Sequence, residues 1–445
     1  MNHEKETIFA VSTGALPSAI SIIRLSGPSC FQVCEFICKK KKPFPRKASL
    51  RYFFGLDGRI LDKGLLIVFP SPESFTGEDS AEFHVHGGIA VVNGILEELA
   101  KMPNLRLANP GEFSRRAFEN GKIDLLEAES LADLISSETE MQRRLSMEGM
   151  SGELSSLYGQ WIDKLTHIRS FIEADLDFSE EEDVQNFSSK EVLNDILFLK
   201  NDISSHISQG KLGEIIRNGY KIVILGHSNA GKSSLFNALA KKDVAIVTDI
   251  PGTTRDVLTI DLDLEGYLVK ISDTAGIRET DDIVEKEGIK RTFLEVENAD
   301  LILLLKEINS KKEISFPKNI DFIFIGTKSD LYSTYTEEYD HLISSFTGEG
   351  LEELINKIKS ILSNKFKKLP FSIPSHKRHL YHLSQTVRYL EMASLNEKDC
   401  GLDIIAENLR LASVSLGKIT GCVDVEQLLD IIFSKFFIVI YFPVI

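Results

Sequence analysis

The chain opens without a basic segment leading into an apolar core, and it lacks the roughly 18 to 20 consecutive apolar residues that a membrane helix needs. A cytoplasmic protein with no membrane association is expected. Cysteine is scarce, five in 445 residues, and none stands in a CxxC pair, so no disulfide framework, zinc ribbon or dithiol redox centre is expected. Cys30, Cys34 and Cys38 recur every four residues after Pro28, which places them on one face of a helix as small buried hydrophobes. Metal binding by that stripe is the lesser alternative. Positive charge is short as well: 51 Lys and Arg face 66 Asp and Glu, a formal net charge of −15. That excludes a protein that coats nucleic acid through a broad basic surface. A local patch is still allowed, and a partner can supply grip on RNA.

The length calls for two to four domains. Residues 1–118 mix short alternating runs (Ala19 to Leu25, Leu65 to Phe69, Ala81 to His86) with Gly, Pro and Asp, the texture of an α+β domain. Over 119–215 glycine and proline thin out, and Leu, Ile and Ala recur at helical spacing. Within 216–370 the runs Lys221 to Leu225, Tyr267 to Ile271, Leu301 to Leu305 and Phe322 to Ile325 alternate with helical stretches, as a mostly parallel α/β sheet requires. Helical texture returns over 371–445. The fold class expected is therefore multidomain, α+β and α/β, with the α/β domain inserted into one helical domain.

The segment from Gly226 to Ser233, Gly-His-Ser-Asn-Ala-Gly-Lys-Ser, fits GxxxxGK[ST] and lies between a predicted strand and a predicted helix over Lys232 to Ala240. Glycines there let backbone N–H groups close around phosphate oxygens, and the helix N-terminus adds positive partial charge. Lys232 is expected on the β- and γ-phosphates and Ser233 on Mg²⁺. The loop Asp273-Thr274-Ala275-Gly276 follows the Tyr267 strand, with Asp273 behind the metal and Gly276 at the γ-phosphate. Thr327-Lys328-Ser329-Asp330 is similar to the guanine-reading NKxD, with Thr327 in place of Asn, and Asp330 accepts from guanine N1–H and its 2-amino group. The SAK segment of such proteins stands here as Ser344-Ser345-Phe346, without its lysine.

Between the two phosphate loops lies Thr248-Asp249-Ile250-Pro251-Gly252-Thr253-Thr254-Arg255-Asp256. Together with Asn229 it resembles the MnmE (TrmE) family of tRNA-modification GTPases. The resemblance covers nearly the whole chain and includes Ile23 to Gly27, Ser74 to Asp79, His86 to Gly88, Asn109 to Ser114 and Gly121 to Asp124. It implies a nucleotide site made of Asn229, Ala230, Gly231, Lys232, Ser233, Ser234, the stretch Thr248 to Thr254, Asp273 to Gly276, Thr327, Lys328, Asp330, Ser344 and Ser345. It implies Mg²⁺ on Ser233 and Thr254, and K⁺ on Asn229, Thr248, Ile250 and Thr253. Ile277 occupies the place where many small GTPases carry a glutamine that orients water. The resemblance gives that role to Glu285, with Lys232 as the other catalytic residue.

For the N-terminal domain the resemblance implies a dimerisation module that binds a one-carbon tetrahydrofolate through Arg24, Glu82 and Lys122. Glu82, His84 and His86 alternate and so share one face of a strand, where a His-x-His pair is also a metal-binding pattern. The partners implied are a second copy of the chain, an MnmG-type FAD-dependent protein in a heterotetramer, and tRNA. Family members end in Phe-Cys-Ile-Gly-Lys, whereas here Phe437 and an apolar stretch follow Phe436. A ribosome-assembly GTPase of the Era or Der kind is the alternative, although no GXXG clamp follows residue 370. A GTP-dependent scaffold without modification activity is another.

Overall fold

The computed structural model describes residues 6–177, 189–242, 244–246, 259–273, 295–310, 320–332, 334, 338–367, 369–394 and 402–421. The chain divides into two compact units, one made of Met1–Ala132 with Gly417–Ile445, the other of Asp133–Leu416.

The first unit holds β1 (Thr7–Val11), β2 (Ser18–Ser26), α1 (Cys30–Cys38), β3 (Ser49–Phe54), β4 (Ile60–Phe69), β5 (Ser80–Gly87), α2 (Ile89–Ala100), β6 (Leu105–Leu107) and α3 (Glu112–Glu119). Its six strands run in the order β3-β4-β5-β2-β1-β6. Neighbours are antiparallel except for β1 with β6. Alternation in β5 sends Ala81, Phe83 and Val85 into the core, where α1 and α2 pack with Ile37, Ile95 and Leu99. Cys30, Cys34 and Cys38 are part of that core. Burial raises the Cys34 thiol and pushes that of Cys38 up to about 12, so both stay protonated and inert.

α4 (Leu125–Ile135) follows, and then α5 (Glu140–Met150), α6 (Glu153–Asp177) and α7 (Ser189–Asn218) lead into a second sheet. Its members are β7 (Tyr220–Gly226), β8 (Ala245–Ile246), β9 (Thr259–Leu264), β10 (Tyr267–Asp273), β11 (Leu301–Glu307), β12 (Phe322–Thr327) and β13 (His341–Ile343), with α8 (Lys232–Ala240) and α9 (Leu351–Phe366) among them. α10 (Lys377–Ser394) and α11 (Leu402–Thr420) come last. The order is β13-β12-β11-β7-β10-β9-β8. Strands β13 to β10 are parallel, and β9 and β8 extend the edge antiparallel. Both faces are covered. Ile222 and Ile224 face Leu235, Leu239 and Leu354, whereas Val223 and Leu225 face Val296. Burial on both faces explains the continuous apolar run of β7.

After β7 the chain adds β10 on one side and β11 on the other. That reversal opens a crevice at the carboxyl ends of the strands, where ligands of such sheets bind.

Candidate functional site

The loop after β7 enters this crevice. Gly226 lies so close to β11 that a Cβ would stand 2.6 Å from the Leu305 carbonyl oxygen, which excludes larger residues. Asn229 (φ +68°) and Gly231 (φ +87°) take left-handed backbone, turning the chain sharply into α8. Lys232 begins that helix and is 7% exposed. Its Nζ donates to the carbonyl oxygens of Gly226 and His227 at 3.0 and 3.1 Å. Burial lowers its pKa and the Asp273 carboxylate opposes the shift, but its hydrogen bonds go only to carbonyl dipoles, which leaves the ammonium receptive to an anion.

Asp273 ends β10 opposite Ile224 of β7, which brings it to the phosphate loop. Ser233 Oγ donates to Asp273 Oδ2 at 2.8 Å. Asp273 Oδ1 is buried and has no hydrogen-bond partner among the described residues. A hydroxyl and a carboxylate with an oxygen to spare form the all-oxygen donor set that suits Mg²⁺. Thr274, Ala275 and Gly276, the stretch Thr248 to Thr254, Ile277 and Glu285 lie outside the described residues.

The segment Lys328 to Asp330, expected from sequence to read the base, leaves β12 at the same edge. Thr327 is 3% exposed and its hydroxyl donates to the Lys306 carbonyl at 3.4 Å, so the side chain is turned toward β11. A Cβ on Gly231 would come within 3.8 Å of Thr327 Cβ, which joins the two loops. Lys328 (φ +62°) pairs with Glu307 at 2.9 Å, and Tyr332 OH donates to the other carboxylate oxygen at 3.1 Å. The Lys328 contact holds the Glu307 carboxyl below its usual range. Glu307 was not among the residues expected from sequence. Only its place at the end of β11, in register with Thr327, marks it. Asp330 is exposed at the mouth, Ser344 is buried and Ser345 half-buried.

In the first unit Arg24 and Glu82 face each other across β2 and β5. Arg24 Nη2 donates to Glu82 Oε1 at 2.9 Å, and His84 Nε2 lies 3.3 Å from Oε2. The guanidinium also stands over the rings of Phe75 and Phe113, 5.5 and 5.8 Å from their centroids. Lys122 is exposed and runs alongside Gly77, where a Cβ would stand 3.2 Å from its Cε. A charged pair bordered by aromatic rings can hold a flat polar ligand with an acidic group. His86 pairs instead with Asp62 at 2.8 Å. Among the described residues no three His, Cys, Asp or Glu side chains converge to hold a metal. Phe75 and Phe113 were missed from sequence, though both lie inside segments that carried the resemblance.

The family model described as the MnmE helical domain matches residues 125–436, and that described as the GTP-binding protein TrmE N-terminus matches residues 7–122. A relative from Rhizobium etli (strain CIAT 652), "tRNA modification GTPase MnmE", is 48% identical over 432 residues, covering 97% of this chain and 98% of that protein. One of the same name from Agrobacterium fabrum (strain C58 / ATCC 33970) is 48% identical over 439 residues, covering 98% and 99%. Among solved structures, the G domain of the T. maritima FeoB iron transporter is 29% identical over 33% of this chain and 98% of that one, with a TM-score of 0.26.

Proposed function

The chain belongs to the MnmE (TrmE) family of tRNA modification GTPases, and from that premise we propose that it hydrolyses GTP to drive modification of the wobble uridine of certain tRNAs. The product is an aminomethyl or carboxymethylaminomethyl group, made with an MnmG-type FAD-dependent partner and a one-carbon tetrahydrofolate. The observation that carries this is the meeting of Lys232, Ser233 and Asp273 at one crevice in a chain 48% identical to such a GTPase over 97% of its length.

Lys232 exchanges its two carbonyl partners for β- and γ-phosphate oxygens, whose full charge outweighs the dipoles they replace. Ser233 and Thr254, with Asp273 behind them, would hold Mg²⁺, which would neutralise phosphate charge when bound. Asn229, Thr248, Ile250 and Thr253 would hold K⁺, whose charge would stabilise the developing phosphate charge, and Glu285 would orient the water, the work that Ile277 in place of glutamine leaves undone. Asp330 reads guanine, with Lys328, Ser344 and Ser345 beside it. Arg24, Glu82 and Lys122 bind the folate. The segments 1–118, 119–215, 216–370 and 371–445 serve as folate and dimerisation domain, first helical part, G domain and second helical part. The protein acts as a cytoplasmic homodimer; among the described residues no helix is long and apolar enough to cross a membrane.

Mass spectrometry of tRNA from cells lacking this gene is expected to show loss of the modified wobble uridine. Unchanged tRNA would sink the proposal. Phosphate release should be faster in K⁺ than in Na⁺, and absence of turnover in either salt favours a scaffold. Replacing Phe437 to Ile445 with Cys-Ile-Gly-Lys is expected to raise tRNA modification and leave GTP hydrolysis unchanged.

A further inference from the structure

The turn after β13 carries Phe346 with 92% of its surface exposed. A lone exposed aromatic is ordinary on its own; this one is set apart by its place and by how firmly its turn is held. Thr327 of β12 is in parallel register with Ile343 of β13, so Lys328 to Asp330 and Ser344 to Phe346 leave the sheet side by side at its carboxyl edge. The turn is pinned on both sides of Phe346. Gly348 N–H donates to the Ser344 carbonyl at 2.9 Å, Thr347 N–H to Ser344 Oγ at 3.2 Å, and Ser344 N–H to the Glu349 carbonyl at 3.0 Å. Ser344 itself is fully buried. A bulky apolar ring thus stands in water on a pinned turn that leaves the sheet next to the segment carrying the proposed base-reading carboxylate, in the position where related GTPases carry a lysine.

We propose that Phe346 is a base-binding residue that stacks on the guanine ring, which rests on the reading of Asp330 as the guanine contact. Stacking suits the site because every base presents a π-face, and it supplies affinity without hydrogen bonds. The two residues divide the work: Asp330 discriminates guanine from adenine, and Phe346 adds binding energy common to both bases. That offsets the altered chemistry at Thr327, whose hydroxyl is engaged with β11.

The test compares Phe346→Ala and Phe346→Trp in the full chain, using GDP, ADP and inorganic tripolyphosphate as probes. Phe346→Ala is expected to weaken GDP binding about tenfold, to leave tripolyphosphate binding unchanged, and to melt at the same temperature as the parent. Phe346→Trp should bind GDP within about twofold of the parent and show fluorescence quenched by GDP, a stacking signature. Trp161, the only tryptophan of the native chain, is 3% exposed and supplies a constant background. Native GDP affinity in Phe346→Ala overturns the proposal, as does equal weakening of GDP and tripolyphosphate. If the parent binds GDP and ADP alike, the Asp330 reading has failed, whereas the stacking assignment is decided separately by the loss of GDP binding in Phe346→Ala against unchanged tripolyphosphate binding.

Discussion

Asp273 accepts the Ser233 hydroxyl with one oxygen and leaves the other buried and unpaired. An unsatisfied buried polar atom costs about 1–3 kcal/mol, and a divalent cation on Asp273 and Ser233 relieves that cost. Asp273→Asn is therefore expected to leave the nucleotide-free chain at least as stable as the parent. Mg²⁺-dependent GTP hydrolysis should fall about 100-fold or more, and melting curves beside a Mg²⁺ titration of phosphate release check both. His206 makes a different residue-scale argument. It is 8% exposed, packs edge-on to Trp161 and lies 3.1 Å from Tyr158 OH. Burial lowers its pKa to about 4. Above pH 6.5 neither state binds the proton, and the buried imidazole costs nothing through protonation. Between pH 6.5 and 4 the unfolded chain takes up a proton that the folded one refuses, so stability falls with pH by up to about 3 kcal/mol. Urea midpoints at pH 7 and pH 4.5 are expected to show this fall, and His206→Gln should flatten it.

The short element β13 depends on a glycine. Gly350 stands at φ +76°, and a Cβ there would lie 2.0 Å from the Leu342 carbonyl oxygen, with further backbone at 3.1 and 3.3 Å. His341 Nε2 contacts the Gly350 carbonyl at 2.7 Å, closing the turn from β13 to α9. Gly350→Ala meets both left-handed strain and a backbone that cannot give way, so a loss of about 2–3 kcal/mol is expected in urea unfolding. Guanine-nucleotide affinity should fall with it, because the Ser344 to Phe346 turn lies between the two clashing ends. Elements with punctuation of this kind were the ones legible in sequence. The run Lys221 to Leu225 and the helix Lys232 to Ala240 are found as β7 and α8, with the strand one residue longer at each end, because Gly219 precedes the strand and the Gly226 to Gly231 loop divides it from the helix. β6, three residues from Leu105 to Leu107, has too little alternation to register, and it exists because it pairs with β1. The contacts of Arg24 with Phe75 and Phe113 join segments far apart in sequence, which local pattern cannot reveal. Glu307 was hidden for the same reason, since its partners Lys328 and Tyr332 meet it only once β11 and β12 are in register.

At the scale of the second unit, the chain enters the seven-stranded sheet through the end of α7 and leaves it ahead of α10. Both crossings are tied to one carboxylate: Arg217 Nε donates to Asp133 Oδ2 at 2.7 Å, and His376 Nε2 stands 2.7 Å from the same oxygen. Burial alone would raise the Asp133 carboxyl, but contacts from His376 and Arg217 together hold it below the usual range. The grip is thus present above the ordinary carboxylate pKa and is lost as pH falls through the lowered one. Gln142 adds a second strut: its Nε2 donates to the Arg217 carbonyl at 2.9 Å, while its Oε1 accepts from Thr139 N–H at the start of α5. Met141 N–H reaches the Gly266 carbonyl in the turn between β9 and β10 at 2.9 Å. These ties border a cavity of about 300 Å³ lined by Asp133, Gln142, Arg217 and Lys270. β10 ends on Asp273, so a movement of that strand driven by nucleotide would pass through this seam to the helices. Asp133→Asn removes the charge common to both crossings and is expected to cost about 2 kcal/mol, the worth of a charge-assisted hydrogen bond. Amide exchange should quicken at residues 216–220 and 373–378, while the seven-stranded sheet keeps its protection. GTP hydrolysis by the isolated chain is expected to change little, and tRNA modification to fall further than hydrolysis. Equal loss of the two activities would mean that Asp133 supports the fold and does not couple the helices to the nucleotide.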